Sequence, residues 1–269
     1  MSSKPVIEVF QNPAELSRVA AQRIANLINK TINQKKRAVL GLATGGTPEQ
    51  TYRELIPLLS SGDLLNGRLV TFNLDEYYPI DGHNSQSYRR YMWDHLFQHL
   101  GFDDYEKYLE VVNRGAGPIY IPDGSVKRAS LGDYFNWYEQ KIHDMGGIDL
   151  QILGIGKNGH IAFNEPDSPP DSLTRLVSLT DDTIAANARY FNHSEDVPRE
   201  AMTMGIRTIL GARQIFLLAT GDGKADAVAR ALEGEISVNM PASFLQQNGD
   251  RVTFMLDTAA ASRLKRRRS

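Results

Sequence analysis

The segment DLQILGIGKNGHIAFNEP, residues 149–166, decides the fold, because in it an apolar run gives way to glycines, a histidine and a carboxylate. Residues 148–153 are mostly apolar and end at a glycine, which is typical of a strand buried in a sheet. The glycines that follow can adopt positive φ or let the backbone approach a ligand closely. Ligands of open α/β sheets bind beyond the carboxyl ends of the strands. We therefore predict a functional site after this strand, at Asn158, His160, Asn164 and Glu165.

The histidine in this segment has the neighbours that acid/base chemistry needs. His160 has a carboxylate five residues later, at Glu165, and an amide two residues earlier, at Asn158, which is typical of a general acid/base site. A histidine that only completes the packing of the loop stays open as the alternative. The glycines also match GxGxxG, but we reject a dinucleotide site, because the following HIAFNEPDSPPDS contains adjacent prolines and cannot open a helix.

Composition limits the classes of protein and of chemistry. The chain has 269 residues, 41% of them hydrophobic, which is enough for one large domain, predicted over residues 1–258. A net charge of -2 gives no general attraction for nucleic acid or anionic membranes. The absence of cysteine excludes disulfides and thiolate chemistry, and no histidine spacing predicts a metal site. No apolar run approaches the roughly 20 residues that span a bilayer, so a cytoplasmic location is expected.

Two glycine-rich turns are candidates for binding an anion. The apolar run 38–43 is followed by Thr44, Gly45, Gly46 and Thr47 and then by a predicted helix over 49–59. The run 215–219 is followed in the same way by TGDGK and a predicted helix over 225–233, which places Lys224 at the start of that helix. Backbone amides at a helix N-terminus bind phosphate, and a lysine there can pair with it. Ordinary strand-to-helix turns are the alternative, and no Walker motif is present.

A pair of acids ends another strand. Residues 69–74, LVTFNL, are predicted to form a buried strand that is followed by Asp75 and Glu76. Because Asp75 comes directly after an apolar residue, burial can raise its pKa toward that of a working base.

The remaining segments complete the pattern of an α/β protein. We predict helices over 13–30, 84–100, 133–145 and 182–191, the last of which carries Arg189, and strands over 119–121 and 252–256. Alternating strands and helices predict a Rossmann-like fold, with a mostly parallel central sheet, helices on both faces and a small excursion within 101–130. No function is assigned to residues 104–122. The basic residues 259–269 are predicted to form a disordered tail.

Four motifs together resemble the glucosamine-6-phosphate deaminase family: TGGTP at 44–48, FNLDEY at 72–77, GxGxNGHIAFNEP at 154–166 and TGxGK at 220–224. The resemblance runs in order from about residue 10 to 256. It implies conversion of glucosamine 6-phosphate and water to fructose 6-phosphate and ammonium, without a redox cofactor or a catalytic metal. It further implies that His160 opens the sugar ring with Glu165 and Asn158, and that Asp75 is the base at C2. The phosphate would be bound by Thr44 to Thr47, Arg189 and Lys224.

Two positions depart from that family's pattern. Asn158 stands where many members have Asp, and an amide can orient a histidine but cannot share charge with it. Members that are activated by N-acetylglucosamine 6-phosphate use basic residues after the NEP block. Arg175 fits one of these, but Val177 replaces a lysine, so weak or absent activation is expected.

Three alternative functions stay open. A galactosamine-6-phosphate deaminase would use the same mechanism, and a 6-phosphogluconolactonase would share the fold and a similar histidine loop. A non-catalytic sugar-phosphate sensor would bind without turnover. The expected partner is a small sugar phosphate, with a homo-oligomer as an open possibility, and no nucleic acid or membrane partner is expected.

Overall fold

The structure is a computed structural model, and it describes residues 3–59, 67–191, 193 and 196–265. Its centre is a seven-stranded sheet in which every neighbouring pair of strands is parallel. The order across the sheet is β1-β10-β9-β6-β2-β3-β5. These strands are β1 (Val6–Phe10), β2 (Ala38–Leu42), β3 (Leu69–Asn73), β5 (Ile119–Tyr120), β6 (Leu150–Leu153), β9 (Gln214–Ala219) and β10 (Val252–Asp257).

Helices cover both faces of this sheet, which confirms the predicted α/β architecture. They are α1 (Pro13–Lys35), α2 (Gly46–Leu59), α3 (Tyr88–His95), α4 (Tyr105–Arg114), α5 (Leu131–Asp144), α6 (Asp181–Asn187), α7 (Ile206–Leu210) and α8 (Ala225–Glu233). Successive strand residues point to opposite faces. Leu40 and Leu218 accordingly join the core under α1 to α4, whereas Val39 and Leu217 join the core under α5, α7 and α8. Strands buried on both faces explain why the sequence shows apolar runs rather than alternation.

Local signals in the sequence explain several helix ends. Asn12 caps α1 by accepting a hydrogen bond from the amide of Glu15 at 2.9 Å, and Pro13 occupies the first turn, as predicted. The helix continues to Lys35, beyond the predicted end at residue 30. The helix predicted over 84–100 is shorter: α3 begins after its cap, Ser87, and a separate 3-10 turn follows at Phe97–Leu100.

A second, three-stranded antiparallel sheet was not predicted. It has the order β4-β8-β7 and consists of β4 (Asp75–Tyr78), β8 (Glu200–Thr203) and β7 (Arg175–Ser178). Asp75 pairs with Thr203, and Thr203 pairs on its other side with Arg175. The predicted strand end at residue 74 is therefore a junction, where the chain leaves the large sheet and enters the small one.

Three further segments differ from the predictions. Strand β1, at one edge of the large sheet, was missed, and the segment predicted as loop or excursion contains α4. The packed core extends beyond the predicted boundary at residue 258, because Ala260, Ala261 and Leu264 are buried in it. Residues 266–269 of the predicted tail lie outside the described residues.

The order of the strands places the predicted loops together. From β2 the chain adds β3 and β5 in one direction, and from β6 it adds β9 and β10 in the other. Ligand crevices of open α/β sheets form at such a reversal, outside the carboxyl ends of the strands. The four loops selected from the sequence follow β2, β3, β6 and β9, which are neighbours here. Within the described ranges, no helix is long and apolar enough to cross a membrane.

Candidate active site

Three of the predicted loops meet at the carboxyl edge of the sheet. The hydroxyl oxygens of Thr47, after β2, and Thr220, after β9, lie 3.0 Å apart. Lys224 donates a hydrogen bond from Nζ to the carbonyl oxygen of Ile155, after β6, at 2.6 Å. The two glycine-rich turns and the histidine loop therefore form one continuous rim.

The histidine loop gathers the predicted acid/base residues into one cluster. Asn158 donates from Nδ2 to Oε2 of Glu165 at 2.6 Å, and Oδ1 of Asn158 accepts the backbone amide of His160 at 3.2 Å. The imidazole Nδ1 of His160 lies 3.4 Å from the same Oε2. On its other side, Glu165 accepts a short hydrogen bond from the hydroxyl of Thr183. Glu165 thus holds the imidazole and the amide at a single carboxylate.

These contacts decide the charge of Glu165. Burial raises its pKa, but the nearby imidazole of His160 and the hydrogen bonds from Thr183 and Asn158 outweigh burial and lower the pKa to about 2. Glu165 is therefore ionised at every pH at which the protein would work. A fixed negative charge beside an imidazole orients the ring.

Two glycines make room for this arrangement. A Cβ on Gly156 would lie 2.3 Å from the imidazole atoms of His160, so the ring rests directly against this backbone. Gly159 has φ +88°, and a Cβ there would lie 1.9 Å from the sulfur of Met240. These contacts account for two of the three glycines that match the dinucleotide fingerprint, Gly156 and Gly159.

Asp75 lies at the first position of β4 and is only 6% exposed. Burial, and secondarily the charge of Glu76, raise its pKa to about 8. The expectation that the position after β3 would raise the pKa of this carboxyl is therefore confirmed. Once ionised, such a carboxylate is a stronger base than an aspartate in water.

An aromatic cluster connects Asp75 with the histidine loop. The Tyr88 side chain interacts with the hydroxyls of Thr44 and Tyr77 and lies within electrostatic range of Asp75. Its ring stacks on that of Phe163, three residues after His160, with centroids 6.1 Å apart. Tyr77 also contacts Phe163, at 5.6 Å. The connection between Asp75 and the His160 loop is thus built through aromatic rings.

Three cations converge on the rim. Arg189 lies on a 3-10 turn, Ala188–Tyr190, rather than on the predicted α-helix. Burial lowers the pKa of Lys224, and the positive charges of Lys157 and Arg189 lower it further. The Lys157 side chain approaches Gly223, the residue before Lys224: a Cβ built on this glycine would lie 3.8 Å from Cε of Lys157. Like charges held together in this way favour an anion between them.

The loop after β2 has the predicted form for an anion site. Gly45 has φ +112°, and α2 begins at Gly46, which is earlier than the predicted start at residue 49. The amides of Gly46 and Thr47 thus belong to the first turn of the helix, where no intrahelical acceptor exists.

Arg175, predicted as a ligand of an activator, is engaged inside the molecule. Its Nη1 donates to Oδ1 of Asn164 at 2.8 Å. Asn164 is fully buried and in turn donates to the carbonyl oxygens of Ile161 and Met204. Burial lowers the pKa of Arg175. Arg175 therefore supports the histidine loop from the side of the small sheet.

Four residues at the site were missed from the sequence. Thr183 reaches Glu165 from α6, and Tyr88 reaches Thr44 from α3, and no local pattern signals contacts over such separations. Glu76 was noted only as a neighbour of Asp75. Lys157 had a signal, since it lies in the motif itself, next to Asn158. In the part of the chain that the structure describes, no three histidine, aspartate or glutamate side chains are grouped to hold a metal ion.

Comparison with known proteins gives consistent results. The family model of glucosamine-6-phosphate isomerases/6-phosphogluconolactonase matches residues 11–254. The chain is 50% identical over 262 residues to glucosamine-6-phosphate deaminase of Rhodopirellula baltica, covering 97% of this chain and 98% of that protein. It is 43% identical over 255 residues to the deaminase of Clostridium novyi, covering 95% of this chain and 98% of that protein.

Solved structures are similar over nearly the whole chain. A glucosamine-6-phosphate deaminase described as monomeric superposes with a TM-score of 0.83 at 43% identity, covering 96% of this chain and 99% of that chain. A 6-phosphogluconolactonase from Trypanosoma cruzi superposes with a TM-score of 0.73 at 24% identity, covering 99% of both chains. The second similarity shows a shared fold only.

Proposed function

The chain belongs to the family of glucosamine-6-phosphate isomerases and 6-phosphogluconolactonases, and we propose that it acts within this family as a glucosamine-6-phosphate deaminase. The reaction converts glucosamine 6-phosphate and water to fructose 6-phosphate and ammonium. It needs an anion site for the phosphate, a proton shuttle that opens the sugar ring and a base that reaches C2. The convergence of the loops after β2, β6 and β9 beside Asp75 supports all three.

The observation that carries the choice of a deaminase is the position of Glu165. This carboxylate is held by Asn158 and Thr183 and lies 3.4 Å from His160. Ring opening moves a proton from the C1 hydroxyl to the ring oxygen, and an imidazole oriented by a carboxylate suits that transfer. Hydrolysis of a lactone needs no second carboxylate of this kind. We therefore favour the deaminase over the lactonase.

Phosphate binding is assigned to the rim. The amides and hydroxyls of residues 44–47 provide hydrogen-bond donors, and Arg189 and Lys224 provide charge. Lys157 adds a third positive charge beside Lys224. Binding of a dianion would relieve the mutual repulsion of these cations, so the site is arranged for phosphate before the substrate arrives.

Asp75 is assigned to the chemistry at C2. In the open-chain sugar, Asp75 removes the proton from C2, and the C1 carbonyl oxygen gains the proton that the ammonium group loses. Asp75 then returns its proton to C1, which leaves a hydroxyl at C1 and an iminium at C2. Water then adds to C2, and ammonia leaves. The pKa of about 8 makes the ionised carboxylate basic, and the positively charged amino group of the bound substrate favours that ionised form.

The departure at Asn158 has a defined consequence in this structure. The amide donates to Glu165 at 2.6 Å, so Asn158 orients the carboxylate that in turn orients His160. Because an amide carries no charge, Glu165 alone provides the negative charge beside the imidazole. A chain with this arrangement still has every group that ring opening requires.

The test is ammonium release from glucosamine 6-phosphate by the purified protein, compared with galactosamine 6-phosphate and 6-phosphogluconolactone. Preferential release from the gluco sugar supports the proposal. Higher turnover of the galacto sugar or of the lactone would replace it by one of those two activities. Asp75→Asn should reduce turnover by at least about 10³-fold while phosphate binding persists. Binding without turnover in the unmodified protein would indicate a sensor.

Two accompanying properties are also proposed. Engagement of Arg175 by Asn164, together with Val177, supports weak or absent activation by N-acetylglucosamine 6-phosphate. A cytoplasmic location suits a phosphorylated substrate, because its charge prevents it from crossing a bilayer unaided. A homo-oligomer stays open for this chain, while one solved relative is described as monomeric.

A further inference from the structure

Glu76 is a fully buried carboxylate to which the proposed reaction assigns no step. Its exposure is 0%, and it directly follows Asp75 in the sequence. Placing an ionised carboxylate away from water is unfavourable unless hydrogen bonds and charges compensate. Two adjacent buried acids are costlier still, because their charges repel. The surroundings of Glu76 show what offsets this cost.

Glu76 binds the N-terminus of α3. Its Oε1 accepts the backbone amides of Tyr77 and Tyr88, each at 2.9 Å. Its Oε2 accepts the hydroxyl of Ser87 at 2.6 Å and the backbone amide of Arg89 at 3.3 Å. Ser87 is the cap of α3, and Tyr88 and Arg89 are its first residues. A helix N-terminus carries unsatisfied amides and partial positive charge, both of which favour an anion.

This contact determines where Tyr88 lies. Since Glu76 is on β4 and holds the first turn of α3, it fixes the helix against the strand that begins with Asp75. Tyr88, at the first position of the helix, then reaches Thr44 of the phosphate loop and stacks on Phe163 of the histidine loop. Displacing the start of α3 would therefore move the group that joins all three parts of the site.

We propose that Glu76 is a positioning residue for deamination: its carboxylate binds the N-terminus of α3 and so holds Tyr88 between Thr44, Asp75 and Phe163. This inference rests on the proposed function. It adds a residue that touches no substrate and acts through α3.

The charge of Glu76 has a second effect, on the base. Burial is the largest cause of the raised pKa of Asp75, and the charge of Glu76 is the second. Burial likewise raises the pKa of Glu76 to about 7, against the hydrogen bonds of Ser87 and the α3 amides and the charge of Arg89. Six phenols also interact electrostatically with one of the two acids: Tyr52, Tyr88, Tyr105, Tyr108, Tyr134 and Tyr138. Arg89 also pairs with Asp123 at 3.5 Å.

Two variants of Glu76 separate its charge from its reach. Glu76→Gln keeps the length and can accept the amides of Tyr77 and Tyr88 while donating to the hydroxyl of Ser87, but it removes the charge. Glu76→Asp keeps the charge but withdraws the carboxylate from α3 by one methylene. Glu139→Gln is the matched control, because Glu139 is a half-buried carboxylate that accepts from Thr174 and Thr208, which lie outside the site.

The measurement is kcat/KM for ammonium release from glucosamine 6-phosphate across pH 5–9. We expect Glu76→Gln to shift the acidic limb of the pH profile of kcat/KM to lower pH by at least half a unit. At pH 6 this variant should then retain a threefold larger fraction of its maximal kcat/KM than the unmodified protein does. Glu76→Asp should leave the acidic limb in place but lower kcat about tenfold, and Glu139→Gln should change neither.

Unchanged kcat and an unchanged acidic limb in both Glu76 variants would overturn the inference while leaving the proposed function intact. If Glu76→Gln does not fold, a wild-type kcat in Glu76→Asp overturns the inference. Absence of ammonium release by the unmodified protein would remove the proposed function itself.

Discussion

Replacing the proposed base should make the protein more stable, by an amount that depends on pH. The pKa of Asp75 is raised from 3.8 to about 8 in the folded chain. A raised carboxyl pKa means that the fold favours the protonated form, so its contribution to stability is fully present below pH 3.8 and is lost as pH rises through about 8. Asp75→Asn removes the group that becomes charged and so removes this loss.

The size of the effect follows from the shift. At pH 7 the carboxyl lies about three pH units above its unfolded pKa, which corresponds to about 4 kcal/mol of destabilisation at most. The buried amide that replaces it gives up hydrogen bonds to water, at a cost of about 1–3 kcal/mol. A net gain of about 2 kcal/mol is therefore expected at pH 7, which for a chain of this size raises the Tm by roughly 4–8 °C.

Thermal unfolding followed by circular dichroism at pH 5, 7 and 8 measures this difference. The gap in Tm between Asp75→Asn and the unmodified protein should be small at pH 5 and should widen toward pH 8. Asp149 provides the matched control, because it is equally buried but is paired with Lys35 at 2.6 Å and with Arg213 at 3.1 Å. Asp149→Asn should lower the Tm at all three values. A gap for Asp75→Asn that is the same at pH 5 and pH 8, or a loss of stability at pH 8, would refute the reasoning.

Three further outcomes are expected. Gly156→Ala places a Cβ 2.3 Å from the imidazole of His160 and should lower kcat by at least about 10²-fold, with little change in the binding of inorganic phosphate measured by calorimetry. Lys157→Gln should raise KM and the inhibition constant of inorganic phosphate about fivefold with kcat within twofold, whereas Lys30→Gln, an exposed lysine on α1, should change neither in the same ammonium assay. Saturating N-acetylglucosamine 6-phosphate should change the rate of ammonium release less than twofold, and a several-fold increase would show that Arg175 leaves Asn164 to bind it.

The central sheet could be predicted because its strands are buried on both faces. A strand such as β9, with the sequence QIFLLA, must be apolar along its whole length, and a glycine-rich turn marks where it ends. Strand β1 escaped prediction because it is an edge strand with partly exposed residues and carries Glu8 among apolar neighbours. The small sheet escaped because its strands have only four residues each and β4 pairs with β8 across more than one hundred residues, so its register is set by tertiary contacts.

The candidate site likewise has a part that the sequence could predict and a part that it could not. The histidine loop and the phosphate turns are contiguous in sequence, so residue types at fixed spacing were enough to select Glu165 and Lys224. Thr183 lies on α6 and Tyr88 on α3, and nothing in the sequence of either helix indicates which residue it contacts. The contacts of Thr183 with Glu165 and of Tyr88 with Phe163 form only when β6, α3 and α6 have packed together. Spacing can therefore select the groups proposed to act on a substrate, whereas the groups that hold them are determined by packing.

The adjacent acids at the start of β4 show why such supporting groups are needed. Asp75 and Glu76 are both buried, yet only Glu76 receives four hydrogen bonds, three of them from the first turn of α3. Donors that bind a carboxylate make it a weaker base, and a carboxylate buried without them becomes a stronger one. Alternation along β4 points the two side chains in opposite directions, so the backbone amides of α3 bind Glu76 while the Tyr88 side chain lies near Asp75. A base poised near pH 8 thus depends on a neighbour that is held in place by a helix.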